Sequence, residues 1–322
     1  MIRFFSRRLV HAALLLVVIS VLSFALLQLA PGDYFDALRM NPQVSELTVE
    51  KIREHYGLDR PLPVRYALWV RGVARLDLGP SLASNGPVAP LVAVRARNTL
   101  LLSGIATVLA WLLALPLGVV SAARRGRWSD RAAGVAASTM LTIPDLLLFL
   151  GLLLLAVRTN WFPTGGMTSI AGDSEDFWSS CKDVAFHLVL PASGLALAML
   201  PVLLRHVRAA MIEALDSPFL RAARGLGIPR ARLLFRYALP AASNPLISLL
   251  GFSVATMLGT SVIAEVVLGW PGLGALMVES ILARDQYVVV AIVMLSSIFL
   301  VVGNFLADLL LLATDPRIRI AE

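Results

Sequence analysis

The sequence predicts an all-α polytopic membrane protein with six transmembrane helices. Three observations carry that reading. Of 322 residues, 58% are hydrophobic and only 15% charged, with a mean hydropathy of +0.78, an apolar share too large for a water-soluble domain of this size. The apolar residues gather in runs long enough to cross a bilayer. Arginines gather between those runs, so the net charge of +7 reads as a topology signal instead of a nucleic-acid footprint. Lys51 and Lys182 are the only lysines among 28 basic residues. Cys181 is the single cysteine, which excludes an intrachain disulfide. His11, His55, His187 and His206 lack the spacing of metal ligands.

The first apolar run, Leu9 to Leu29, follows Arg3, Arg7 and Arg8. A cleaved signal peptide opens in the same way, but its apolar core is roughly 7–15 residues and it ends in small residues. The run here is long enough to span, so residues 1–29 read as a cytoplasmic N-terminus and a retained first helix. Residues 30–97 are mixed and soluble in character, with nine basic and seven acidic residues. Glu46–Tyr56 and Val64–Val73 are amphipathic, separated by the breaker run Gly57-Leu58-Asp59-Arg60-Pro61-Leu62-Pro63. A long loop of balanced charge is translocated regardless of sign, so this segment is expected outside, as a small extracytoplasmic subdomain. It reads equally as a structural cap or as a landing surface for a solute-binding protein.

The remaining core is expected over 98–312. Its first helix, the second span, runs from Thr99 to about Ala122, loosened by Pro116 and Gly118. Arg124, Arg125, Arg127 and Arg131 follow in a short loop with Asp130 as the lone acid, a clear cytoplasmic signal. The third span, Ala132 to Val157, holds Pro144-Asp145 near its middle. Pro144 removes a helix hydrogen bond and kinks the span. Asp145 has two readings: an N-cap for the half-helix after the proline, or an intramembrane acid facing the transport path. Residues 158–187 form a polar loop poor in basic residues, expected outside. The fourth span, Leu188 to Leu204, carries Pro191 and Pro201 and exits at Arg205 and Arg208. The fifth, about Pro240 to Val266, is rich in small residues that allow helices to approach closely. Ser253, Thr256 and Thr260 are candidates for a weakly polar path, with helix packing as the alternative. Glu265 to Gln286 is a short external loop. The sixth span, Val288 to Leu312, carries Asn304 and Asp308 near its inner end, and 313–322 is a cytoplasmic tail.

Between the fourth and fifth spans lies an arginine-rich island with explicit local chemistry. Arginines 205, 208, 221, 224, 230, 232 and 236 stand against Glu213 and Asp216. Ser217 is suited to an N-cap and Pro218 to the first helical position. Phe219, Ala222, Ala223 and Leu226 recur at helical spacing and predict one apolar face. Gly225 and Gly227 offer a left-handed stop, and Pro229 forbids continuation while opening a second helix through Leu233, Leu234 and Tyr237. A helix of about two turns is marginal by itself, so 217–227 must pack on something: a membrane-surface linker or a docking element.

Ala222-Ala223, Gly227 and Leu239-Pro240 reproduce the spacing of the Glu-Ala-Ala…Gly…Ile-x-Leu-Pro signature of ABC-importer permeases. The chain resembles the dipeptide/oligopeptide/nickel permease family over nearly its whole length. The matching runs include Leu29-Ala30-Pro31-Gly32-Asp33, Leu76-Asp77-Leu78-Gly79-Pro80-Ser81, Pro163-Thr164-Gly165-Gly166, Trp270-Pro271-Gly272-Leu273-Gly274 and Asp315-Pro316-Arg317. Arg221 stands where the general signature has Glu, Leu226 where the peptide branch has Lys, and Tyr237 in the Ile slot. The resemblance implies a type I ABC-importer-like fold in a bacterial inner membrane, both termini cytoplasmic. It implies a coupling helix at 217–227, with Ser217, Phe219, Arg221, Ala222, Ala223, Arg224, Gly225 and Gly227 as coupling residues. It further implies a second homologous permease, two ATP-binding subunits that hold ATP and Mg, and an extracytoplasmic solute-binding protein. Peptides are the commonest implied cargo, followed by nickel or metal chelates and glutathione.

The chemistry the chain lacks narrows the function. There is no Gly-x-x-x-x-Gly-Lys-Ser/Thr phosphate loop, no His, Cys or paired-carboxylate cluster for membrane-embedded catalysis, and no expected cofactor or metal. A secondary carrier usually needs several intramembrane ionisable groups, and Asp145 is the only acid near mid-span. A proton-coupled carrier or channel working through Asp145 is the alternative to a pore subunit driven from outside.

Overall fold

The computed structural model describes residues 2–29, 34, 39, 46–55, 57–169 and 177–314. The Pro31-Gly32-Asp33 exit, the acids between 173 and 176, and the Asp315–Arg319 close lie outside these residues. Helices dominate, because a backbone in hydrocarbon must satisfy its own polar groups. Among the described residues, five helices are long and apolar enough to cross a membrane, and a bent pair brings the number to six. They are α1 (Ile2–Leu29), α4 (Val88–Ala123), the pair α5 (Trp128–Thr142) and α6 (Asp145–Thr159), α7 (Phe177–Leu215), α11 (Ser243–Val267) and α13 (Gln286–Thr314). Short helices α2 (Glu46–His55) and α3 (Leu62–Val73) follow α1, and α12 (Leu273–Leu282) precedes α13.

Several helices outrun the spans expected of them. At 1.5 Å per residue, α7 with its 39 residues is about 58 Å long, roughly twice a hydrocarbon core. Its ends therefore stand beyond the apolar stretch, and Phe177–His187, expected as loop, is helical. The external loop before α13 likewise contains α12. The third span is not one kinked helix. α5 and α6 meet at 96°, because Ile143, restricted by the following proline, is extended (φ −83°, ψ 118°) and Pro144 is extended as well (φ −58°, ψ 138°). The all-α expectation gains one detail: β1 (Pro80–Ser81) and β2 (Gly86–Pro87) form an antiparallel ladder with Pro80 opposite Pro87.

The chain divides into two compact units. One comprises residues 1–98 and 272–299. Its core joins Phe24, Trp69, Val88, Val92, Ala96, Leu273 and Ile292. Phe24 packs on Tyr66 edge-on at 5.3 Å and on Trp69 at 5.1 Å, and the Ser20 and Tyr66 hydroxyls are hydrogen-bonded at 2.8 Å, which ties α1 to α3. Buried Asp285 accepts from the Ser81 hydroxyl (2.6 Å) and the Ala83 amide (3.0 Å), holding the β-ladder loop to the start of α13. Arg65, buried in α3, donates to Gln286 Oε1 at 2.7 Å.

The other unit comprises residues 99–271 and 300–322. Small residues let its helices meet at close range. A Cβ on Gly194 would lie 2.8 Å from Leu152 Cδ1, and one on Gly251 would lie 2.5 Å from Ala307 Cβ. Trp111 Nε1 donates to Ser253 Oγ at 2.9 Å. Glu265, expected at the mouth of the external loop, is fully buried near the end of α11 and accepts from Thr99 Oγ1 at 2.7 Å.

Candidate functional site

The arginine-rich island folds at one end of the second unit. α7 carries Arg205 and Arg208 and runs to Leu215. α8 (Pro218–Gly225) follows after two residues, then α9 (Arg230–Arg232), a π-helical turn (Leu233–Ala238) and α10 (Leu239–Ala241) lead into α11. Pro218 occupies the first helical position as its fixed φ requires, and Ser217 is extended at the N-cap. The capping bond expected of Ser217 is absent, and its Oγ is buried with no hydrogen-bond partner among the described residues. Gly227, with φ +77°, is left-handed one residue past the C-cap Leu226, the conformation that ends helices. Gly225 is the last helical residue and not a left-handed stop.

The apolar faces of α8 correct the sequence reading. Its inward residues are Leu220, fully buried, and Ala223, packed in a core with Met211, Leu215, Leu233 and Val119. Phe219 is 52% exposed and Leu226 83% exposed. Arg221, Ala222, Arg224 and Gly225 are exposed as well. The helix thus has two apolar edges. One is consumed inside the chain and the other, Phe219 with Ala222 and Leu226, is left outward, with Arg221 and Arg224 exposed on the other side of the helix.

The floor under this helix is braced by charge. Asp130, 5% exposed in the first turn of α5, accepts four hydrogen bonds. The donors are Arg208 Nε at 2.6 Å and Nη2 at 2.9 Å, Ser121 Oγ at 2.5 Å and the Gly126 amide at 2.9 Å. The Asp in the arginine loop had read only as a minority charge; its partner lies 78 residues away, a separation no local pattern encodes. Nearer the surface, Arg125 pairs with Asp216 at 2.9 Å, and an Arg230 amine caps the Ala123 carbonyl. The surface pair and Arg230 border an open pocket of about 510 Å³, lined by Ala122, Arg125, Leu215, Arg224, Arg230 and Leu233 among others.

The residues proposed for the path lie elsewhere in the unit. Asp145 is the first residue of α6, with Pro144 at the N-cap, so it is not itself the cap. It is half-buried beside a 60 Å³ cavity shared with Met140, Leu148 and Leu197. Its charge at a helix N-terminus is favourable. Ser253 is fully buried, with its hydroxyl bonded to Trp111 and to the Leu250 carbonyl at 2.7 Å; it braces α11 within the subunit. Thr256, half-buried, donates to the Phe252 carbonyl at 2.9 Å, and Thr260 is also half-buried. No group of three or more His, Cys, Asp or Glu residues suited to a metal occurs among the described residues.

Residues 114–320 match the profile of the family described as binding-protein-dependent transport system inner membrane component, and residues 1–92 match that family's N-terminal component. The chain belongs to this family. It is therefore a multi-pass inner-membrane protein, the membrane component of a binding-protein-dependent importer. The oligopeptide transport system permease protein AppB of Bacillus subtilis (strain 168) is 36% identical over 323 residues, covering 99% of this chain and all of that one. The glutathione transport system permease protein GsiC of Pectobacterium atrosepticum is 31% identical over 99% of both chains. A solved chain of the MetNI methionine ABC transporter, in an inward-facing conformation, shares the fold with a TM-score of 0.58 at 18% identity. It covers 70% of this chain and 96% of that one. That places the binding-protein-dependent permease among type I ABC-importer-like folds.

Proposed function

We propose that this permease is a pore-forming subunit of an ATP-driven peptide importer, and that α8 is its docking element for a separate ATPase. The observation that carries the reading is the two-edged character of α8. A short helix held from inside by Leu220 and Ala223 is anchored to its own subunit, yet offers Phe219, Ala222, Arg221 and Arg224 outward. An exposed aromatic on a helix that also exposes two arginines suits a partner surface offering an apolar pocket and acids. The coupling set also includes Ser217, Gly225 and Gly227, which shape the turn at either end. The arginine-rich loops at 124–131 and 221–236 then face the cytoplasm by the positive-inside rule, with both chain termini on that side and the 30–97 segment outside. A second permease subunit, two ATP-binding subunits holding ATP and Mg, and an extracytoplasmic solute-binding protein complete the assembly. Asp145, Thr256 and Thr260 are assigned to the path, with Ser253 supporting the wall behind them.

The oligopeptide relative supports peptides as cargo, and the glutathione relative, itself named for a modified tripeptide, supports glutathione as the second reading. The test is reconstitution of the four kinds of subunit in sealed vesicles. ATP-dependent accumulation of labelled peptide that requires the binding protein is expected. Accumulation that follows a proton gradient without ATP, and ends with Asp145→Asn, would overturn the reading in favour of a carrier.

A further inference from the structure

We propose that Asp130 is a positioning residue for transport: the joint through which movement of α8 is passed to the spans formed by α4 and by α5–α6. This inference rests on the importer reading given above. Three separate pieces of chain converge on the one carboxylate. Ser121 belongs to the last turn of α4, Gly126 to the loop between α4 and α5, and Arg208 to α7. All four bonds lie between 2.5 and 2.9 Å, and Arg208 reaches both carboxylate oxygens. A forked arginine–carboxylate pair fixes direction as well as distance, so a rotation of α7 at Arg208 cannot be absorbed by swivelling of one bond. α7 continues as helix from Arg208 to Leu215, and α8 begins at Pro218. Force on α8 therefore arrives at Arg208 along a rigid rod of about two turns.

Beside the polar clamp sits a steric one. A Cβ on Gly118 would come within 2.6 Å of Val207 Cγ1 and 3.2 Å of the Arg208 amide. α4 and α7 thus already touch at the residue next to Arg208, and the contact acts as a pivot for the clamp. The neighbouring Arg125–Asp216 pair differs in kind. Its side chains are 59% and 66% exposed, and such a pair contributes little. The Asp130 contact joins α5 to α7 and is buried, whereas the Arg125–Asp216 contact joins the α4–α5 loop to the residue after α7 and is exposed.

The experiment uses the whole importer in vesicles with its binding protein and measures peptide imported per ATP hydrolysed, in complexes assembled to wild-type level. Arg208→Lys keeps the positive charge but loses the fork. Ser121→Ala releases α4 while leaving the ion pair. Arg208→Lys is expected to lower the import-to-hydrolysis ratio about tenfold, the equivalent of one charge-assisted hydrogen bond, and Ser121→Ala to lower it several-fold, with hydrolysis itself retained. A role limited to folding would instead reduce assembly and leave the ratio of the surviving complexes at the wild-type value. That outcome in either variant overturns the proposal. ATP-driven uptake by the wild-type complex is scored first and independently, so an unchanged ratio removes the joint without touching the importer assignment.

Discussion

Replacing Phe219 separates the two edges of α8. Full burial of a Phe side chain is worth about 1.5–3 kcal/mol. Phe219 is 52% exposed in this subunit, so roughly half of that, about 0.8–1.5 kcal/mol, remains for a partner to gain. Phe219→Ala should therefore weaken ATPase association about 4- to 12-fold, at 1.4 kcal/mol per tenfold, with the permease's own stability changed by no more than about 0.5 kcal/mol. Phe219→Asp adds the cost of a carboxylate against an apolar pocket and should release the ATPase outright. The neighbouring substitution should behave in the opposite way. Leu220 is fully buried, and Leu220→Ala is expected to cost about 2–5 kcal/mol of fold stability. The assay is recovery of ATPase subunits on tagged permease across an ATPase titration, alongside thermal unfolding of the permease in detergent. If both Phe219 variants retain the ATPase at wild-type affinity, or if Phe219→Asp lowers the unfolding temperature as much as Leu220→Ala, the outward edge is not a docking edge.

Two further outcomes follow from contacts in the two units. Gly118→Ala should push α4 from α7, because its Cβ would lie 2.6 Å from Val207 Cγ1 where carbon atoms prefer about 3.5–4.0 Å. The expected cost is about 1–3 kcal/mol, read in thermal unfolding, and Val207→Ala should recover little of it, because the Val207 Cβ that alanine keeps would itself lie 2.7 Å away. An unchanged unfolding temperature in Gly118→Ala would refute the contact. Asp285→Ala removes the acceptor for the Ser81 hydroxyl and the Ala83 amide, so the Ala83 amide should exchange hydrogen markedly faster while exchange in α4 stays unchanged. Equal protection of Ala83 in both proteins would show that the β-ladder loop is held by something else.

What could be read from the residues, and what could not, divides along physical lines. Spans were legible because lipid leaves the backbone no other solution, and each apolar run is found as helix, the third divided between α5 and α6. The ends of α8 were legible because proline and glycine act locally: the segment expected over 217–227 is helical over Pro218–Gly225. Which face of α8 is buried was not legible. Phe219 and Leu220 are adjacent and both apolar, so periodicity alone supports either edge, and the choice was made by Met211, Leu215 and Leu233 in the surrounding core. The bend at Pro144 was anticipated in place but not in size, since proline fixes its own φ while the extended ψ of both Ile143 and Pro144 is needed to turn the axis through 96°.

The polar joints were the least legible of all, and this bears on how the island works. Asp130 with Arg208, and Glu265 with Thr99, pair residues 78 and 166 positions apart. In the sequence, Asp130 is a lone acid among loop arginines and Glu265 a loop acid after an apolar run. Both prove buried, and burial of a carboxylate is tolerated only with its bonds filled. A buried acid at a helix end therefore marks where separate elements are obliged to keep contact. Leu233–Ala238 makes the complementary point. It is wound as a π-helix, a rare geometry that is frequent at functional sites. It lies on the exit side of α8, while the Asp130 clamp lies on the entry side. Under the joint proposed above, a push on α8 is passed through the buried Asp130 clamp at its α7 end to the spans clamped there.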